Sequence, residues 1–195
     1  MELPAATQSE LALLARQYGA PLVVDALIAD DFDDPIRRRD RYGEVCMVVR
    51  RPNGKFLLSI KTFYPRGAYR LPTGGIHDGE PVYDALLRET HEETGLDTTV
   101  ERFLARISYR PKPAGAAPVF HTFAFLLRET GGRLGALDLS EHIEDWREIE
   151  LSELPRVADT LDDLSTTSDH DIGGSWRAWG KFRAVVHRVV YDRLA

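Results

Sequence analysis

A single cysteine among 195 residues excludes an internal disulfide and fits a reducing compartment. Cys46 lies in the apolar run 45–49, where a thiol behaves as a small buried hydrophobe rather than a nucleophile. No stretch approaches the roughly 18 consecutive apolar residues of a membrane helix, and the first residues lack a basic-then-apolar leader pattern. The expectation is a cytoplasmic protein without membrane contact. Positive charge is also scarce. Lys and Arg number 25 against 31 Asp and Glu, a formal net charge of −6. That argues against broad binding to nucleic acid or anionic membranes and leaves room only for a local basic pocket for phosphates. Internal repeats, low-complexity tracts and a helix-turn-helix at either end are absent. What is there, 43% hydrophobic and 29% charged residues, suits one ordinary domain with a real core.

Taken in order, Thr7-Gln8-Ser9-Glu10 has the form of a capping box. Leu11, Leu14, Ala15 and Tyr18 follow at helical spacing, and Gly19 and Pro21 stop the helix. Residues 22–29 fit strand or helix equally. Residues 30–41 read as a charged loop around Pro35. Its Arg37, Arg38, Arg39 and Arg41 either meet phosphates or, more simply, pair with Asp30, Asp31, Asp33 and Asp34. Residues 45–50 and 56–63 read as a hairpin about Pro52-Asn53-Gly54. Residues 98–109 and 119–127 read as strands, the second turned by Gly131-Gly132, with the Pro-rich loop 110–118 between them and a short strand at 148–151. Ser152 caps a helix running to Leu164, residues 165–174 form a polar linker, and 176–194 form a closing helix. Trp176 and Trp179 are read as core anchors ahead of an aromatic substrate platform. The closing helix is either core or the surface of a homodimer. Strands interleaved with helices indicate an α/β or α+β layer.

The chain is organised around residues 71–96. Gly74, Gly75 and Gly79 allow a loop that takes positive φ and approaches another group closely. Pro81 suits the start of a helix, nothing interrupts 82–94, and Gly95 sits where a left-handed C-terminal residue belongs. On that helix Glu89, Glu92 and Glu93 share one face. They repel one another by roughly 0.2–0.5 kcal/mol per exposed pair, and they lie in the last turn, where the helix dipole disfavours anions. A cation would offset both penalties. Clustered carboxylates suit Mg²⁺ or Mn²⁺, hard ions that also take phosphate oxygens.

Gly74, Glu80, Arg88, Glu89, Glu92, Glu93, Gly95 and Leu96 stand at the spacing of the Nudix box, and the stretch resembles that family's motif. Thr90, where an aliphatic residue is usual, is the one departure. The resemblance implies an α/β/α sandwich around a mixed sheet, with the box as loop, helix and loop. Residues 1–40 then form an N-terminal extension to a domain at 41–195 that includes the C-terminal helix. The implied activity is metal-dependent hydrolysis of a diphosphate linkage in a small nucleoside diphosphate derivative. Glu89, Glu92 and Glu93, joined by the Thr73 carbonyl, would hold Mg²⁺ or Mn²⁺. Gly74, Glu80, Arg88 and Gly95 would be structural, Arg88 pairing with Glu80 to pin loop to helix.

The general base is left between Glu89 and a Glu of a distant loop, here Glu141 or Glu144, with Glu92 also counted among the catalytic carboxylates. His77 and His91 are read as solvated. Pro111 lies 15 residues beyond Leu96, a spacing similar to that of ADP-ribose-type members, so it is the candidate substrate-side residue and ADP-ribose or an ADP-sugar the favoured substrate. Two rivals stand beside the hydrolase: a non-catalytic nucleotide-sensing regulator, and an isopentenyl diphosphate isomerase-like enzyme using a catalytic cysteine.

Overall fold

The structure, a computed structural model, describes residues 3–28, 41–111, 116–169 and 172–195. The Arg37, Arg38 and Arg39 run falls outside these residues; Arg41 falls within them. The centre of the fold is strand β2 (Gly43–Arg50), buried along almost its whole length. A strand covered on both faces reads as a continuous apolar run rather than an alternating one. Val45, Met47 and Val49 enter one apolar cluster, Cys46 and Val48 the other.

Around β2 lies a seven-stranded mixed sheet in the order β1-β5-β6-β2-β3-β7, with β4 also paired to β2. These strands are β1 (Leu22–Leu27), β3 (Phe56–Lys61), β4 (Thr73–Gly75), β5 (Leu96–Arg110), β6 (Phe120–Gly132) and β7 (Ile143–Ile149). β1 runs parallel to β5 and β2 parallel to β6; the other pairings are antiparallel. Helix α1 (Ala5–Tyr18) and helix α2 (Val82–Thr94) pack on one face through Leu11, Leu14, Val82, Ala85 and Leu86. Helices α3 (Leu154–Asp162) and α4 (Trp176–Leu194) pack on the other through Leu154, Leu161, Trp179, Phe182, Val186 and Val190. The expected α/β/α sandwich is the observed one. No described helix is long and apolar enough to cross a membrane.

Several boundaries differ from the sequence reading, each for a physical reason. Helix α1 begins at Ala5 behind Pro4, so Thr7 and Glu10 lie inside it and form no capping box. Glu10 instead reaches across to α2, where its two oxygens accept the N–H groups of Val82 and Tyr83, each at 2.9 Å. The ambiguous stretch after α1 is a strand. Gly131 and Gly132 are the last two residues of β6 rather than a turn beyond it; they pair with Asp97 and Leu96, and Gly132 has φ +84° at a close backbone approach that any side chain would block. β7 starts earlier than 148, because 143–149 pairs along β3. The linker holds a two-stranded hairpin, β8 (Ser168–Asp169) with β9 (Gly174–Ser175). The last helix is core: Ser175 caps it by accepting Ala178 N–H at 3.1 Å, and Trp176 and Trp179 are 7% and 2% exposed.

Helices α3 and α4 touch through backbone at Gly180, where a Cβ would overlap the Leu161 carbonyl. Alanine gains about 0.5–1 kcal/mol of helix propensity, but prising two packed helices apart costs about 1–3 kcal/mol. Gly180→Ala is therefore expected to destabilise the fold, read as a lower urea midpoint with an unchanged slope.

Candidate active site

Helix α2 is built as its residues dictate. Pro81 precedes it in extended conformation, and Gly95 ends it at φ +65°, its N–H donating to His91 O at 2.8 Å. Thr90, the residue that departs from the motif, is 1% exposed, and its hydroxyl donates back to Leu86 O at 2.6 Å. The polar atom is satisfied within the helix, so the methyl is free to pack.

The acidic face of α2 turns inward. Glu89 is 6% exposed and Glu93 is fully buried. Ligand oxygens of Glu89, Glu93 and Glu141 lie within 4.8 Å of one another. Glu141 comes from a 3₁₀ turn (Leu139–Glu141) just before β7. Neither Glu93 oxygen has a hydrogen-bond partner among the described residues. Its nearest cation is Lys61, whose Nζ lies 3.6 Å from Glu93 and donates to Glu141 at 2.8 Å.

Burial drives the proton affinities here. It pushes Glu93 up to about 8 against the pull of Lys61 and Arg70, and raises Glu89 as well, against the pull of Arg88. For Glu141, burial is outweighed by the Lys61 hydrogen bond and charge, which hold it below its usual range.

The loop before α2 is shaped around these carboxylates. At Gly74 any Cβ would run into the Glu89 carboxylate, so only glycine lets β4 lie against that side chain. Arg88 donates to both Glu80 oxygens at 2.7 and 2.8 Å, to Glu89 at 2.9 Å, to Glu92 at 3.0 Å and to the Gly75 carbonyl at 3.0 Å. Loop and helix are thus tied through one planar group.

The predicted residues therefore divide. Glu89, Glu93 and Glu141 meet. Glu92 sits beside them on Arg88, its side chain 39% exposed. Glu144 is exposed on β7, outside the carboxylate cluster. Thr73 opens β4, and its hydroxyl accepts from Arg70 at 3.1 Å and Arg183 at 3.2 Å. Pro111 follows the last residue of β5, and the loop 112–115 beyond it lies outside the described residues. His77 and His91 are exposed.

Sequence reasoning missed the neighbouring recess. A cavity of about 120 Å³ is lined by Arg41, Lys61, Tyr64, Arg70, Trp179 and Arg183, among others. Arg183, on α4, donates to both Glu44 oxygens at 2.7 and 2.8 Å, and Thr122 donates to the first of them at 2.9 Å. Local sequence pattern gives no hint of this, because the partners lie on separate elements. A larger recess of about 440 Å³ lies between α1 and the loop before α2; of its three carboxylates, Glu10, Asp78 and Glu80, the first and last are already engaged.

Residues 41–168 match the NUDIX domain. The chain belongs to that family. It is 33% identical to Nudix hydrolase 2 of Arabidopsis thaliana over 36% of this chain and 26% of that protein. With the ADP-ribose pyrophosphatase of Methanocaldococcus jannaschii it shares 30% identity over 57% of this chain and 63% of that one. With the human 8-oxo-dGDP phosphatase NUDT18 it shares 32% over 63% of this chain and 36% of that one. The chain thus spans from about a quarter to under two thirds of these relatives' lengths.

The Glu93 carboxyl gives a pH signature. A folded-state value near 8, against about 4.3 unfolded, means the folded protein holds the proton more tightly. That stability is present in full below the unfolded value and lost as pH rises through 8. In the metal-free protein, urea unfolding is expected to show wild type losing more stability from pH 5 to pH 8 than Glu93→Gln. Equal losses would mean that Glu93 is not held protonated.

Proposed function

We propose that this NUDIX chain is a metal-dependent pyrophosphohydrolase that cleaves a diphosphate linkage in a nucleoside diphosphate derivative, with ADP-ribose or an ADP-sugar favoured. The observation that carries the reading is Glu93, a fully buried carboxylate whose oxygens find no hydrogen-bond partner among the described residues, set within reach of two more. A donor set of carboxylate oxygens fits a hard divalent ion. Glu89 and Glu93 would hold Mg²⁺ or Mn²⁺, with Glu92 at the edge, the Thr73 carbonyl as a further ligand and Glu141 facing the same site. Such an ion supplies charge neutralisation on the phosphates and acidifies a bound water.

The chain's own residues do the rest. Arg88 fixes the direction of Glu89 and Glu92. Lys61 keeps Glu141 ionised, so that carboxylate is ready to accept a proton from attacking water, and we assign it as general base. Glu89, packed against Gly74, is assigned as a ligand. Glu144, exposed and outside the carboxylate cluster, has no part in this scheme.

The preference for ADP-ribose rests on the Pro111 spacing and on the likeness to the M. jannaschii protein of that name. The intact carboxylate cluster favours catalysis over a sensing role. The isomerase reading needs a reactive thiol, whereas Cys46 is fully buried and burial pushes its proton affinity up.

Turnover of ADP-ribose and related diphosphates is expected with Mg²⁺ or Mn²⁺ and none in excess chelator. Glu93→Gln should fold and lose about 100- to 10,000-fold in kcat. A loss under about tenfold would remove Glu93 from the metal site. A second pair of variants separates ligand from base. Glu89→Gln should be partly rescued by added Mn²⁺, whereas Glu141→Gln should not and should change the pH–rate profile. The opposite pattern would make Glu89 the base.

A further inference from the structure

We propose that the recess between β3, residues 64–73 and α4 is a phosphoryl-binding subsite, in which Arg41, Arg70 and Arg183 take the phosphoryl group next to the one attacked. Its use by substrate rests on the hydrolase reading above; its affinity for phosphate does not.

The first argument is Arg70. Its residue is 2% exposed, and its hydrogen bonds go only to neutral groups: Tyr64 OH at 3.1 Å, Leu71 O at 2.8 Å and Thr73 Oγ1 at 3.1 Å. Among the described residues no carboxylate lies in ion-pair range of it. A guanidinium taken out of water without a direct ion pair is costly, and an anion arriving in the recess relieves that cost. The second is Arg41, whose Nε is buried with no hydrogen-bond partner among the described residues. Its guanidinium lies so close to Gly75 that a Cβ there would stand 2.6 Å from Nη1, so the second glycine of the loop makes room for it.

The third is size and place. At about 120 Å³ the recess is small beside the roughly 300–1,000 Å³ of a whole-ligand pocket, and suits one phosphoryl group rather than a nucleoside. Lys61 lines it and also stands 3.6 Å from Glu93, so recess and carboxylate cluster are adjacent. Guanidinium groups match phosphoryl oxygens in geometry and charge.

One wall of the subsite lies outside the family span. Arg183 and Trp179 lie on α4, beyond residue 168, where the NUDIX match ends. Arg183 is held from below by Glu44 and stacks over Phe182 at 4.8 Å and Trp179 at 6.0 Å. His187, one turn on, accepts Leu71 N–H at 2.9 Å through Nε2, which fixes the strand end that carries Arg70 against the same helix.

The test is calorimetric titration of inorganic phosphate into the full chain, stripped of metal by chelating resin, at constant ionic strength, with acetate and chloride as controls. Saturable phosphate binding is expected for wild type and not for acetate or chloride. Arg41→Gln and Arg70→Gln should each weaken it about tenfold or more. Among the described residues the Arg41 Nε has no hydrogen-bond partner, so Arg41→Gln is expected to keep the fold and carries the test should Arg70→Gln unfold. Absence of saturable phosphate binding to wild type, or wild-type affinity in Arg41→Gln, would overturn the subsite. No metal or substrate is present, so turnover that persists without phosphate binding removes the subsite alone. Phosphate binding in a protein that hydrolyses no diphosphate supports the subsite and removes the hydrolase reading.

Discussion

The structure depends on the burial of carboxylates at the end of α2. Turning Glu89 and Glu93 towards the sheet sets like charges together in a medium that solvates them poorly, a cost that hydrophobic packing elsewhere must outweigh. Nearly every unusual feature of the neighbourhood answers it. Arg88 neutralises the outer side by bridging Glu80, Glu89 and Glu92. Lys61 neutralises the inner side by spanning Glu93 and Glu141. Gly74 leaves a gap that only the Glu89 carboxylate fills.

The helices outside the motif hold this arrangement in place. Glu10 of α1 closes the N-terminus of α2, satisfying N–H groups that a helix cannot satisfy internally and placing a negative charge at the positive end of the dipole. On the opposite face α4 reaches the same loop through Arg183, which meets Thr73, and His187, which meets Leu71. Burial pushes the His187 ring down to about 4, so it stays neutral and can accept that N–H. The loop before α2 is therefore gripped from both layers of the sandwich. Precise placement of side chains on rigid elements is what positioning catalysis requires.

A second electrostatic layer lies behind the first. The carboxylate cluster and the arginine recess meet at Lys61 and Thr73. Acidic and basic surfaces side by side would match a ligand that carries a metal ion on a polyphosphate. The overall charge of −6 conceals this local arrangement.

Short-range pattern determined a good deal by itself. Helix α2 runs over the span expected from Pro81 and Gly95, because both ends are set by local backbone geometry. The carboxylate face of Glu89, Glu92 and Glu93 followed from helical periodicity, and the buried strands from apolar runs. Reading failed where a residue's partner is remote. Glu10 looked like half of a local cap, yet its partners are 72 and 73 positions away. Glu141 was preferred to Glu144 in sequence only for its place in a loop before the last strand, and it is the pairing of β7 with β3 that leaves Glu141 in the cluster and Glu144 exposed. Arg70, Arg183 and Glu44 carried no motif at all. Local sequence determined which elements form and which face of α2 is acidic, because those depend on neighbours within a turn or two. Which charges are buried, and which cation or carboxylate meets them, was decided only by the tertiary structure, because desolvation and Coulomb attraction act between groups that folding alone brings together.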